Sequence, residues 1–196
     1  HEVRGDGHCF YHTFLLALKD LFEKRKEENI TLFNINLDNM KRIIGETGTE
    51  SVGIEHVSML RGILIQLCEN YTDVFKQLCL EEAVGTGWGG EYALSLLLSY
   101  MRDIDQREIR VVIYNVESNG SVNSVRIFPD ENDKHIDLKE NNTIFLLRTG
   151  RAHYQWMELD NNDYNKRNTI YDYKINENNI VNENDITKIK FDNLAS

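Results

Sequence analysis

Apolar residues follow two different periods along the chain. Over residues 9 to 24, Phe10, Phe14, Leu18 and Phe22 recur every four positions and Leu15 and Leu21 widen the stripe, which predicts a helix over 9–24. A second, shorter helix is expected over 37–44, where Asn36 stands as a cap and Leu37, Met40, Ile43 and Ile44 share a face. Gly45 and Gly48 then open a loop. Val57, Leu60, Ile63, Leu64, Leu67, Cys68 and Tyr71 keep the helical period, and Val74, Phe75, Leu78 and Cys79 resume it after Thr72, a residue suited to capping. Two helices are expected there. Gly85-Thr86-Gly87-Trp88-Gly89-Gly90 holds regular structure poorly, because fixing each glycine loses much conformational entropy, so it reads as a loop before a helix over 91–102.

The period then changes. Residues 109–116 are rich in β-branched side chains, Ser118-Asn119-Gly120 is a turn signal, and 122–128 resumes the strand pattern. A further strand, 143–148, is separated by Thr149-Gly150-Arg151 from the alternating stretch 153–159. A helical amino-terminal half packed on a small sheet makes the class α+β. Residues 1–160 are expected to form one domain. Residues 161–196, dense in Asn, Asp and Lys with irregularly spaced isoleucines, form a polar extension packed on or trailing it. No internal repeat is visible.

The first candidate for chemistry is Cys9. It follows Arg4-Gly5-Asp6-Gly7-His8 and opens the first helix, where unsatisfied amides and the positive end of the dipole favour thiolate. A free thiol titrates near ~8.5, and such a site plus an imidazolium lowers that by several units. Amides of the turn over 6–9, Gly7 and His8 included, are placed to meet an oxyanion, each donor contributing roughly 3 kcal/mol in other hydrolases. The expected base is His153 in Ala152-His153-Tyr154-Gln155-Trp156. Strand alternation puts His153 and Gln155 on one side and Tyr154 and Trp156 on the other, so the Gln155 amide can hold the imidazole in one tautomer. His8 and His12 compete for the same role. His153 is preferred because a strand holds it more rigidly than the nucleophile's own turn holds them.

Composition narrows the partners. Hydrophobic residues at 41% and charged residues at 28% suit a folded globule. A formal net charge of -10 argues against nucleic acid, whose phosphates draw on clustered Lys and Arg, and suits either a basic partner or simple solubility. The longest apolar run, 93–101, is broken by Ser95 and Ser99 and falls short of the roughly 20 residues that span a bilayer, so no membrane segment is expected. No basic-then-apolar leader precedes Cys9. Three cysteines leave at least one thiol free and lack the paired spacing of a zinc site, which fits a reducing compartment such as the cytosol and no metal.

Three blocks together resemble the ovarian tumour (OTU) family of cysteine proteases. Asp6-Gly7-His8-Cys9-Phe10-Tyr11 resembles the family's opening motif, and Ala152-His153-Tyr154 resembles its closing His-Tyr. Between them, Gly87-Trp88-Gly89-Gly90-Glu91 with Leu94 and Leu97 resembles its Trp-Gly-Gly helix start, and Ile109-Arg110-Val111 its next strand. The blocks span residues 4–157 in family order. The resemblance implies a papain-like fold and a cofactor-free deubiquitinase that cleaves after the carboxyl-terminal glycine of ubiquitin. Its partner would be ubiquitin or polyubiquitin, and a monomer is expected. Carried over, Cys9 is nucleophile, His153 base, and Asp6 shapes the oxyanion turn. Trp88, Gly89, Gly90, Glu91 and Tyr154 match positions along the channel for the substrate's tail. Gln155 departs from the family, which carries Asp or Asn there, and Asp6 is the other candidate to orient the ring. Two further readings keep the fold: a ubiquitin-binding pseudoenzyme, and a protease for a ubiquitin-like modifier. The Asn-, Ile- and Lys-rich composition with a single proline suggests an AT-rich genome and an effector that an intracellular bacterium delivers into host cytosol.

Overall fold

The computed structural model describes residues 1–71, 73–84, 89–129, 142–150 and 153–158. The expected polar extension, 161–196, lies outside them.

Helix α1 (Cys9–Lys24) has the predicted bounds. Its stripe is wider than the four-residue repeat implies, because every residue from Cys9 to Leu18 is buried. The reason is position: α1 packs against the sheet on one side and against α2 and β4 on the other. Such a helix has little polar face to show.

Four short strands follow. β1 (Thr31–Leu32) and β2 (Ile35–Asn36) form a hairpin whose tip, Phe33 and Asn34, has φ of 55° and 59°. Phe33 holds that unusual conformation because its ring is buried against Phe14 and Tyr100, while its N–H donates to Asp105 Oδ2 at 3.1 Å. The helix expected over 37–44 does not form. Asn36 does cap, its Oδ1 accepting from the amides of Asp38 at 2.9 Å and Asn39 at 3.1 Å, but only a turn follows. Leu37 and Met40 are buried there, whereas Ile43 and Ile44 leave the core as β3 (Ile43–Ile44) and pair with β4 (Glu50–Ser51). Gly48, at φ +80°, closes that hairpin.

Helices α2 (Ile54–Cys68), α3 (Asp73–Ala83) and α4 (Glu91–Asp103) match the three expected from periodicity, except that α2 ends before Tyr71, the last residue of its expected stripe. Thr72, the expected cap of α3, lies outside the described residues. The sheet is four-stranded, in the order β6-β5-β7-β8. Its strands are β5 (Arg110–Val116), β6 (Val122–Phe128), β7 (Thr143–Thr149) and β8 (His153–Met157). β5 runs parallel to β7, and the other pairs are antiparallel. The central strands β5 and β7 are apolar almost throughout, as covered strands are. β8 alternates, with Tyr154 and Trp156 buried and His153, Gln155 and Met157 half-exposed. The molecule is thus α+β, with α1 laid across β7 and β8.

Candidate active site

The turn before α1 is built by one carboxylate. Asp6 Oδ1 accepts the His8 amide at 2.9 Å, and Gly7 sits at φ +86°, a conformation that strains any residue with a Cβ. Asp6 Oδ2 meets His12 Nε2 at 3.2 Å and lies 3.5 Å from Arg4 Nε. Burial works to raise the Asp6 carboxyl, but the His8 amide and the His12 ring outweigh it and hold the group below its ordinary value. No side chain caps α1, so the first-turn amides face the site.

Cys9 opens the helix and is only 2% exposed. Burial raises its thiol above the ordinary value, while the amides of Tyr154, Phe10 and Cys9 pull the other way and Asp6 adds to the rise. Burial thus opposes the thiolate expected from the helix terminus. Desolvation is the largest influence on the thiol and acts against the helix terminus.

His12 is excluded as a base. It is 2% exposed, and both ring nitrogens are engaged: Nδ1 accepts the Val52 amide at 3.2 Å, so Nε2 carries the hydrogen donated to Asp6. Burial pushes its pKa down. His8 is engaged as well, its Nδ1 accepting from Arg61 Nη2 at 2.8 Å.

β8 is fastened to the nucleophile's helix. Thr13 Oγ1 donates to the Tyr154 carbonyl at 3.0 Å, and the Tyr154 ring meets Phe10 edge-on at 5.2 Å. His153 opens β8 opposite Thr149. Its ring lies along the Gly5 backbone, where an added Cβ would stand 3.9 Å from Cε1 and 4.0 Å from Nδ1. His153 and Gln155 line one cleft together with Glu2, Asn115, Arg148 and Gly150. Among the described residues, neither side chain makes a hydrogen bond, so the Gln155 amide is not seated on the imidazole.

The start of α4 lies against Phe10. A Cβ on Gly89 would stand 2.2 Å from Phe10 Cδ1, so the backbone there lies flat against the residue that follows the thiol. Glu82 Oε2 accepts the amides of Gly90 at 3.1 Å and Ala93 at 2.7 Å, capping α4. Glu91 Oε2 lies 3.4 Å from Arg126 Nη2. Trp88 lies outside the described residues. The structure therefore brings Asp6, His8, Phe10, Gly89 and the Tyr154 backbone around Cys9, and sets the His153 ring beside Gly5, while the Tyr154 ring belongs to the core.

Thr13, Arg61 and Glu82 went unnoticed in the sequence. Arg61 had a signal: it occupies a core position of the stripe Val57, Leu60, Leu64, Cys68, where a charge has to be satisfied.

No protein-family model and no curated protein matches the chain. Among solved structures it is similar to the OTU of Hazara virus, solved bound to ubiquitin, at 19% identity over 81% of each chain with a TM-score of 0.44. It is also similar to the viral OTU domain protease from Farallon virus, at 18% identity over 82% of this chain and 83% of that one, with a TM-score of 0.39. At such identities, function has to be read from this chain's own residues.

Proposed function

We propose that the chain is a thiol hydrolase of the OTU type that cleaves the isopeptide bond after the carboxyl-terminal glycine of ubiquitin or polyubiquitin. The observation that carries this reading is the seating of α1's first turn on β8. Through the Thr13 to Tyr154 bond and the Tyr154 amide on the Cys9 thiol, the strand that begins with His153 is held beside the nucleophile's turn. The three motif blocks that resemble the family support it, in their order along the chain.

In this mechanism His153 takes the proton from Cys9 Sγ as sulfur attacks the carbonyl carbon of the terminal glycine. The oxygen that becomes negative is met by the amides of Gly7 and Cys9, since the His8 amide is engaged by Asp6. Protonated His153 then gives its proton to the departing lysine amine, leaving a thioester on Cys9. Water, deprotonated by the same imidazole, attacks the thioester and frees the acid and the thiol. Asp6 shapes the turn through His8 and His12. Gly89 and Gly90, with Trp88 and Glu91, form the wall of the channel, and the flat approach of Gly89 to Phe10 suits a tail of two glycines. Gln155, two residues after His153 on the same side of β8, is the other candidate to orient the ring.

The lack, among the described residues, of a bond from Gln155 to His153 favours a second reading, a protein that binds ubiquitin without cutting it. Ubiquitin carrying a carboxyl-terminal electrophile separates the two. A covalent adduct mapped to Cys9, absent in Cys9→Ala with an unchanged circular dichroism spectrum, is expected. Binding without an adduct would overturn the hydrolase. Adducts with electrophilic ubiquitin-like modifiers and none with ubiquitin would move the substrate to those relatives.

A further inference from the structure

Among the described residues, Arg61 is the one Lys or Arg that is buried, at 7% exposed. A guanidinium in a core costs desolvation that an aliphatic side chain in the same stripe of α2 would not incur. What it gains is reach. Nη2 donates to His8 Nδ1 at 2.8 Å, in the residue before the nucleophile. Nη1 donates to the carbonyls of Ala83 at 3.0 Å and Glu82 at 3.4 Å, at the end of α3. The plane lies 4.2 Å above the Tyr11 ring, whose hydroxyl donates to the same Glu82 carbonyl. Glu82 in turn holds the amides of Gly90 and Ala93 through its carboxylate, and Gly89 rests on Phe10. These contacts close a ring, from His8 through Arg61 and the end of α3 to Gly90, Gly89, Phe10 and Cys9.

We propose that Arg61 is a positioning residue that sets the separation between the turn over 6–9 and the Gly89–Gly90 backbone, and with it the slot in front of the Cys9 thiol. The proposal rests on the reading of those two segments as the active site. No other side chain has the same planar fork of donors with which to bind two sides of a slot at once. Because a guanidinium only donates, His8 Nδ1 must accept, and the His8 hydrogen is fixed on Nε2.

The test uses the whole chain with Arg61→Lys and Arg61→Gln. Lysine keeps the charge and loses the fork, so both variants are expected to slow adduct formation with electrophilic ubiquitin by about tenfold or more. Alkylation of Cys9 by iodoacetamide, a reagent small enough not to depend on the exact width of the slot, should change by less than about threefold. The His8 ring nitrogens, read by NMR, should move from a single Nε2–H tautomer to a mixture. A folded variant with wild-type adduct rates overturns the proposal, as does an equal loss in both reactions. Where either Arg61 variant fails to fold, His8→Ala, which cuts the bridge at its other end, must reproduce the selective loss or the proposal falls. Where the wild type itself forms no ubiquitin adduct, the hydrolase reading fails instead. Arg61 is then judged on the His8 tautomer alone, and an unchanged tautomer overturns it.

Discussion

A buried thiol at the first position of a helix feels two opposed influences, and at Cys9 burial prevails over the amides of Tyr154 and Phe10. Iodoacetamide alkylation of Cys9 should therefore keep accelerating past about pH 8.5. A plateau below neutrality would mean a resting thiolate and imidazolium pair, contrary to this geometry. The same scale decides between Asp6 and Gln155. Asp6 bridges the His8 amide and His12 Nε2, whereas Gln155 has no side-chain hydrogen bond among the described residues. Asp6→Asn should thus lower kcat by about tenfold or more, and Gln155→Ala by less than about tenfold, with KM little changed in either. Equal losses would restore Gln155 as the orienting residue in the resting enzyme. The pairing of Cys9 with His153 is a reading of the motif blocks and of strand alternation in the sequence. The buried amide and carbonyl contacts around them were not legible there, since a backbone partner leaves no mark in the residue types.

At the scale of elements, periodicity found α1, α2, α3 and α4 because each buries a stripe that repeats with the turn of a helix. It failed over 37–44 for a physical reason. Four apolar residues at helical spacing are also what a buried turn followed by a short exposed strand supplies, and Gly48 favours the hairpin. The four strands of the main sheet were visible, whereas the two-residue strands β1, β2 and β4 were too short to show a period, and the parallel pairing of β5 with β7 was hidden because covered central strands show no alternation. The contact between the α4 entrance and α1 was invisible for another reason, since it depends on a side chain that glycine lacks. Gly89→Ala would drive a methyl into the Phe10 ring, 2.2 Å from Cδ1 and 3.0 Å from Cβ. The ring cannot swing clear without shifting the residue after Cys9. Adduct formation with electrophilic ubiquitin should fall by about tenfold or more, with partial recovery in Gly89→Ala/Phe10→Leu. A Gly89→Ala variant as fast as wild type would show that the channel wall lies elsewhere.

For the molecule as a whole, His12 joins three regions at one buried point: the turn before α1 through Asp6, α1 itself, and the segment leading to α2 through the Val52 amide. The groups that face it are Asp6, which favours the charged ring, and His8 and Arg4, which oppose it. Burial is the largest of these influences and holds the pKa below the ordinary value of 6.5. The neutral ring is therefore the folded form, and its hydrogen bond from Val52 requires an unprotonated Nδ1. Unfolded chains take up the proton first as pH falls, so the contribution to stability is whole above 6.5 and is lost as pH drops through the lower folded value. Asp6 reinforces this further down, because its carboxyl is also held below its ordinary 3.8 and loses its stabilising charge only under more acid conditions. The thermal midpoint of the wild type should accordingly decline between neutrality and about pH 5. In His12→Asn, which begins from a lower midpoint because both hydrogen bonds are disturbed, the decline over that interval should be shallower. If the two curves fall in parallel, His12 does not carry the acid sensitivity, and the other histidines or the carboxylates of this acidic chain do.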